Sequence, residues 1–315
     1  MIKSTHPEFE KLIAGNPVNS TLELVDFLDG IDIPYTRQGS VLKLNRGIKV
    51  LDEAAIRAEL EHLVSASQMS TLDVEIHRVT HSTNDVVMQR LVETRNRSIL
   101  CAAEMQTAGK GRRGRRWVSP FGRNIYLTYG RFIGRQLSEL GGLSLVVGMV
   151  VVDLLRDMGL EGVGLKWPND ILLGGGKLGG ILVELRASDK GGIGIVLGVG
   201  LNLALNEKES LSIDQPWSAI SSQLEMPRNT LLGALGGRLV NAVQSFEDVG
   251  FDSFAEKWSE YNLYTGRKVS VIRGNETITG IDSGVDQEGN LLLRTGAGLE
   301  VHNSGEVSVR PATRT

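Results

Sequence analysis

Through the middle of the chain, short apolar and β-branched runs separated by polar turns alternate with longer stretches whose apolar residues recur at helical spacing. The short runs predict strands at Val74–Val79, Ser98–Met105, Asn124–Phe132, Val163–Lys166, Lys177–Leu185 and Gly192–Leu203. The helical spacing predicts helices at Asn84–Glu93, Leu137–Met158, Arg228–Phe246 and Phe251–Tyr261. This alternation makes the region from about Thr71 to Leu263 α/β. The helices are sparse relative to the strands, and the last two adjoin. That suits a mixed sheet with helices on one face better than a regular doubly wound sheet.

Both ends differ in texture. Ser20-Thr-Leu-Glu23 reads as a capping box opening a helix that Gly30 ends, with Leu22, Val25 and Leu28 on its apolar face. Ile31–Thr36 and Val41–Leu44 then predict a hairpin around Gln38-Gly39-Ser40, and Leu51–Val64 predicts a second amphipathic helix. After Gly266 come short β runs at Lys268–Ile272, Glu276–Ile281, Leu291–Leu293, Leu299–Val301 and Glu306–Val309, parted by turns such as Glu288-Gly289-Asn290. Short strands so closely spaced suggest a small barrel. The expected division is 1–65, 70–265 and 266–315.

Composition narrows the classes. A net charge of −3 over 315 residues lacks the global basic field of most nucleic-acid binders. The single cysteine, Cys101, lies in the apolar run Ile99-Leu-Cys-Ala-Ala, where a buried structural thiol is expected. The first residues, Glu8 and Glu10 among them, lack the basic and apolar blocks of a signal peptide. The longest uncharged run, Leu140 to Val152, is shorter than the ~17–25 residues of a membrane span. A cytoplasmic enzyme is the expectation.

Positive charge is instead local. Between Gln106 and Trp117, Gly109, Gly111 and Gly114 alternate with Lys110, Arg112, Arg113, Arg115 and Arg116, with no acid. Taken alone this is a solvated charge run, yet glycine lets backbone approach a ligand and guanidinium forks fit phosphate and carboxylate oxygens. Apolar strands flank it on both sides. The segment also spells G-x-G-x-x-G, but Pro120 and Gly122 block the helix a dinucleotide fingerprint requires. The Rossmann reading is rejected. A long cationic loop without packing contacts is expected to be mobile when empty and to close as a lid over a bound anion.

Four further segments stand out, each with a plainer reading. Ser82-Thr83-Asn84 falls where a strand gives way to a helix, so it either caps that helix or aims polar groups at a ligand. Lys166-Trp167-Pro168-Asn169-Asp170 ends a strand in ordinary turn formers. Lys177 opens a strand after Gly174-Gly-Gly176, a place where lysines are usually solvated. Gly198-Val-Gly-Leu-Asn202 puts glycines inside a strand, which marks close approach by a ligand or another backbone.

Taken in order, Ser82-Thr-Asn, Gln106, Gly109-Lys-Gly-Arg-Arg-Gly, Trp117-Val-Ser-Pro-Phe-Gly, Lys166-Trp-Pro-Asn-Asp, Lys177-Leu-Gly-Gly-Ile-Leu-Val-Glu and Gly198-Val-Gly-Leu-Asn resemble the bacterial biotin protein ligases over about residues 70 to 312. The resemblance implies a mixed-sheet, class II synthetase-like α/β (α+β) catalytic domain, a winged-helix-like N-terminal module and a C-terminal SH3-like barrel. It implies attack of biotin's carboxylate on the α-phosphorus of ATP, present with Mg2+, to give biotinyl-5′-AMP. A lysine of the biotin carboxyl carrier domain of acetyl-CoA carboxylase then attacks the mixed anhydride. By resemblance Arg112, with Lys110 and Gly111, lies over the biotinyl and phosphoryl groups, and Lys177 bonds the carboxylate or adenylate linkage. Ser82, Thr83, Asn84 and Gln106 match the ureido-binding positions; Trp117 and Gly180 line the slot for the apolar tail, and Asn202 adjoins it. Arg115, Trp117, Lys166, Asn169 and Trp217 are associated with the nucleotide, Trp217 folding over the adenine. No residue is assigned to a protein-held metal, and a homodimer is one arrangement the resemblance allows.

The chain departs from family members that double as repressors. The helix at Ser20–Leu28 runs almost directly into the hairpin, leaving no room for a recognition helix, and residues 20–30 contain Glu23, Asp26 and Asp29 and no Lys or Arg. Strong specific DNA binding is therefore not expected. A bifunctional ligase and repressor remains the alternative. A lipoate–protein ligase shares the fold, but the basic loop together with Lys166-Trp-Pro-Asn-Asp favours biotin.

Overall fold

The computed structural model describes residues 6–45, 48–187, 191–205, 207–211, 213–305 and 307–311. The N-terminal part comprises α1 (Pro7–Ile13), β1 (Val18–Asn19), α2 (Leu22–Gly30), β2 (Tyr35–Gln38) and β3 (Val41–Leu44). Helices α3 (Glu53–Leu63) and α4 (Ala66–Ser70) lead into β4 (Leu72–Thr80), α5 (Thr83–Glu93), β5 (Ser98–Gln106), β6 (Ile125–Ile133), α6 (Leu143–Asp157), β7 (Val163–Lys166), β8 (Asp170–Leu173), β9 (Gly176–Ala187) and β10 (Ile193–Leu201). Then come α7 (Glu207–Ser210), α8 (Arg228–Val249), α9 (Asp252–Ala255), α10 (Trp258–Tyr261), β11 (Lys268–Arg273), β12 (Glu276–Val285), β13 (Leu291–Thr295), β14 (Gly298–His302) and β15 (Val307–Pro311). The expected strand start at Glu306 lies outside the described residues.

The central sheet has the order β4–β5–β6–β10–β9–β8–β7. Only β4 and β5 are parallel, because α5 carries the chain back between them; the other neighbours pair antiparallel. Strand β8 was not predicted. It is four residues long and directly follows the turn formers Pro168 and Asn169, so its pattern was too short to separate from the turn.

Helices cover both faces, which corrects the one-face expectation. On β5, Leu100 and Ala102 join the main core with Leu60 of α3 and Leu235 and Leu239 of α8. The alternate residues, Ile99 and Cys101, pack with Val87 and Leu91 of α5 and with Val196. Period-2 side chains thus feed two separate cores. A Cβ at Gly130 would lie 2.4 Å from Val87 Cγ1, so α5 approaches β6 this closely only because glycine stands there. Helix α5 covers part of its face, and the remainder over β9 and β10 is left open.

The expected helix Leu137–Met158 is broken. A 3-10 turn at Leu137–Leu140 is followed by Gly141 and Gly142, the latter with φ 75°, before α6 begins. By length and composition, Leu137–Asp157 is apolar enough to cross a membrane, but α6 buries Val147, Val151 and Leu155, among others, in the main core. The expected helix Phe251–Tyr261 is likewise split, into α9 and α10.

In the N-terminal part the cap of α2 is Thr21, whose hydroxyl accepts from Leu24 N at 3.1 Å, and not the expected Ser20. Residues 31–34 carry the chain directly from α2 to β2. Phe9 packs on Phe27 and, edge-on at 5.6 Å, on Phe121 of the central part. Arg78 donates to both carboxylate oxygens of Glu10, at 2.9 and 3.1 Å. Glu104, fully buried, accepts from Leu51 N and from Arg228, which fixes the linker before α3 to β5 and α8. The C-terminal strands form a sheet in the order β14–β13–β12–β11–β15. It is tied to the centre where Trp167 Nε1 donates to Gly289 O at 3.0 Å and Asn262 donates to Asp282 at 2.9 Å.

Candidate active site

A cavity of about 290 Å³ opens on the part of the sheet that α5 leaves uncovered. Ser82, Thr83, Asn84, Gln106, Lys110, Gly111, Arg112, Arg115, Trp117, Asn169, Lys177, Gly180, Asn202 and Trp217 all line it. Lys166 does not; it stands behind the wall, with its ammonium on Asp170.

The polar floor is a continuous hydrogen-bonded chain. Gln106 Oε1 accepts from Thr83 N at 2.9 Å and from its hydroxyl at 3.1 Å, while Gln106 Nε2 donates to Ser119 Oγ at 3.1 Å. Thr128 Oγ1 lies 2.8 Å from Thr83 Oγ1 and 2.7 Å from Asn84 Oδ1, and Asn84 Nδ2 donates to Glu184 at 2.7 Å. Ser82 is the N-cap residue of α5, yet its side chain makes no capping bond and is buried beside the cavity. The Ser82 side chain therefore does not cap the helix, and all three residues of the triplet line the cavity.

At the other end, Asp170 sits between Lys177 Nζ at 2.6 Å and Lys166 Nζ at 2.7 Å. Burial alone would push the Asp170 carboxyl up, but the ammonium groups of Lys177 and Lys166 outweigh it and hold the value at about 2. The triad keeps a net single positive charge, and Lys177 presents it to the cavity, 5.6 Å from the Trp117 ring. Lys177 is not a solvated strand-edge lysine.

The basic loop is not the free segment expected of it. Lys110 pairs with Arg116 across a short bridge, Gly111 N donates to Arg115 O at 2.7 Å, and Arg113 holds φ 60° inside a 3-10 turn. Arg112 donates to Asn169 Oδ1 at 3.2 Å and to the carbonyls of Ser304 and Gly305; Arg113 donates to Ser308 Oγ at 3.0 Å. The turn between β14 and β15 therefore braces the loop, a contact that sequence separation hid. Burial presses the Arg112 guanidinium below its usual value, against the pull of Asp170, and an anion in the cavity would relieve that. Lys110 bonds Asp85 and lies 3.8 Å from Glu184; the Asp85 bond raises its pKa.

The apolar part of the cavity is shaped by aromatic rings over glycines. A Cβ at Gly200 would lie 2.6 Å from Trp117 Nε1, and one at Gly180 3.5 Å from the same ring. Trp117 Nε1 is buried without a partner. Trp217 is set on the rim by pairing with Lys177: Lys177 N donates to Pro216 O at 2.9 Å, and Ser218 N to Lys177 O at 3.0 Å. Asn202 Nδ2 reaches Lys177 O at 3.4 Å and Ser218 O at 3.3 Å, which joins that segment to β10.

Several residues that bond the cavity's polar groups were absent from the expected set. Asp170, Ser119 and Glu184 lay inside quoted motifs without a role. Thr128 was missed altogether; its signal is a small hydroxyl residue, fully buried, within the apolar run of β6. Among the described residues, no group of three or more His, Cys, Asp or Glu could hold a metal.

The cavity therefore combines buried amide and hydroxyl groups, the cations Lys177 and Arg112, and the aromatic wall of Trp117. Residues 76–202 match the biotin/lipoate A/B protein ligase family, and residues 264–310 match the biotin protein ligase C-terminal domain. The chain is 36% identical over 284 residues to the bifunctional ligase/repressor BirA of Salmonella typhimurium, covering 90% of this chain and 85% of that one. The chain belongs to the biotin protein ligase family. It is also 31% identical over 264 residues to the biotin–[acetyl-CoA-carboxylase] ligase of Mycobacterium tuberculosis, 82% of this chain and 95% of that one. Among solved structures, the biotin protein ligase from Aquifex aeolicus in complex with biotin and ATP aligns with a TM-score of 0.61 at 26% identity, over 77% of this chain and 99% of that one. The mixed α/β fold is that of biotin protein ligases.

Proposed function

We infer that the protein is an ATP-dependent biotin–protein ligase, and that the cavity roofed by the basic loop is where both half-reactions occur. The observation that carries this reading is one cavity with the buried Thr83–Gln106–Thr128–Asn84 network at one end and Lys177 and Arg112 at the other. Biotin's ureido ring has one acceptor and two donors, all of which need partners once buried, and the floor offers both kinds. In the first step a carboxylate oxygen of biotin attacks the α-phosphorus of ATP; the O–P bond forms as the bond to pyrophosphate breaks. Two anions must meet, so Lys177 and Arg112 lower the barrier by holding the developing charge. In the second step the neutral ε-amine of a carrier lysine attacks the acyl carbon, AMP leaves with the bonding pair, and the amine loses a proton.

Arg115 and Asn169 serve the nucleotide side, Lys166 acts through Asp170, and Trp217 covers the adenine. Mg2+ enters with the nucleotide. The partner is a biotin carboxyl carrier domain, that of acetyl-CoA carboxylase in the first instance, met in the cytoplasm, and a homodimer is one arrangement open to the protein. Residues 1–65 form a reduced winged-helix-like module, 70–265 the catalytic domain, and 266–315 an SH3-like barrel.

The alternative repressor function is favoured by the bifunctional relative, but α2 carries Glu23, Asp26 and Asp29 and no helix occupies residues 31–34 to enter a groove. No specific operator binding is expected. Calorimetric titration with biotin and then lipoate tests the reading: tight biotin binding with no heat from lipoate supports it, and the reverse order overturns it.

A further inference from the structure

We propose that Glu184 is a positioning residue of the biotin site, holding Asn84 as a hydrogen-bond donor toward the bound ring and tying that donor to the basic loop through Lys110. The inference rests on the ligase reading and adds a specificity-determining residue to it.

Asn84 is buried, and its carboxamide is pinned from three sides. Nδ2 donates to Glu184 Oε2 at 2.7 Å, Oδ1 accepts from Thr128 Oγ1 at 2.7 Å, and a Cβ at Gly198 would lie 2.3 Å from Oδ1. Turning the amide over would exchange its oxygen and nitrogen at nearly the same positions. The Thr128 hydroxyl can donate or accept, so it tolerates either orientation. An ionised carboxylate only accepts, and a turned amide would set two acceptors against each other at hydrogen-bond distance. Glu184 therefore selects the orientation. In that state Oδ1 is engaged, and the second hydrogen of Nδ2 remains for an acceptor on the ligand.

The second oxygen of Glu184 lies 3.8 Å from Lys110 Nζ, and the same ammonium bonds Asp85, the next residue after Asn84 on α5. Loop, helix start and β9 thus converge on one carboxamide. The ligand favoured is a neutral cyclic urea, whose carbonyl oxygen accepts; a cyclic guanidinium, which only donates, is disfavoured.

Titration of the full chain with biotin and with 2-iminobiotin, whose ring bears a protonated imine in place of the carbonyl oxygen, tests this. In Glu184→Gln the neighbour of Asn84 can either donate or accept, so the amide is free to turn. The Kd for biotin is expected to rise about three- to tenfold, the upper figure being the worth of one hydrogen bond with the amide fully turned, while that for 2-iminobiotin holds or falls. Parallel rises in both constants, or no change in either, overturn the proposal. Glu184→Asp, which keeps the carboxylate, should keep the preference for biotin even if affinity drops. In an Asn84→Ala background, Glu184→Gln should add less than about twofold for biotin; an undiminished effect there shows that Glu184 acts by another route. A wild-type chain without biotin affinity overturns the ligase reading instead.

Discussion

The floor of the cavity and the loop above it hold their polar groups in opposite ways. Thr83, Asn84, Gln106 and Thr128 are buried, bond one another, and are carried on the start of α5, the end of β5 and the middle of β6. The loop has no core of its own; Arg112 and Arg113 hold it by side chains that reach the turn between β14 and β15. A pre-aimed floor selects the ligand and stabilises charge without reorganising, whereas a loop braced by a few contacts can open and close. On the proposed reading, the floor selects the ligand, Lys177 and Arg112 hold the developing charge, and the loop that carries Arg112 also retains the adenylate.

The largest effect is expected at Lys177. Lys177→Ala should lower the rate of adenylation by roughly 10²–10³, the range for loss of one aimed donor, with the fold retained. Pyrophosphate release at the wild-type rate in the variant would break the assignment. Next comes the loop: Arg112→Gly should let biotinyl-AMP escape about 10–100-fold faster, since charge-assisted bonds are worth ~1.5–3 kcal/mol each. Bystander proteins then become biotinylated, and streptavidin blots that label the carrier alone would count against it.

The comparison also explains what could be read from sequence. The loop's glycines and cations announced an anion site, but its bracing by Ser304, Gly305 and Ser308 joins residues nearly two hundred positions apart, which no local pattern encodes. The floor was the reverse. Ser82-Thr-Asn, Gln106 and the glycines of β10 were weak signals singly, and only their order pointed to the site. Strands β5, β6 and β10 were legible because their apolar runs are long, and β4 because Leu72, Val74 and Ile76 alternate with polar residues. Strand β8 was too short, and α5 lay on the opposite face from α3 and α8 because alternation along β5 serves two cores, which a fully apolar run conceals.

Smaller effects sharpen the floor's description. Gly200→Ala places a methyl 2.6 Å from the Trp117 indole, so the ring must shift into the cavity. Overpacking of this kind costs about 1–3 kcal/mol, and both the melting temperature and biotin affinity should fall; an unchanged Kd would show that the slot is loose. Smallest is the pH response of the lysine–aspartate triad. Asp170 titrates at about 2 when folded, below the ordinary 3.8, so its stabilising contribution is complete above about pH 4 and is lost as pH falls toward 2. The difference in melting temperature between wild type and Asp170→Asn should shrink over that window, and a constant difference would contradict the pairing.

The central claim, that this cavity makes biotinyl-adenylate, is tested most directly by exchange of labelled pyrophosphate into ATP by the full chain. The account predicts exchange that requires biotin, ignores lipoate and falls by about 10²–10³ in Lys177→Ala. Exchange supported by lipoate and not biotin, or biotin-dependent exchange untouched by loss of Lys177, would contradict it.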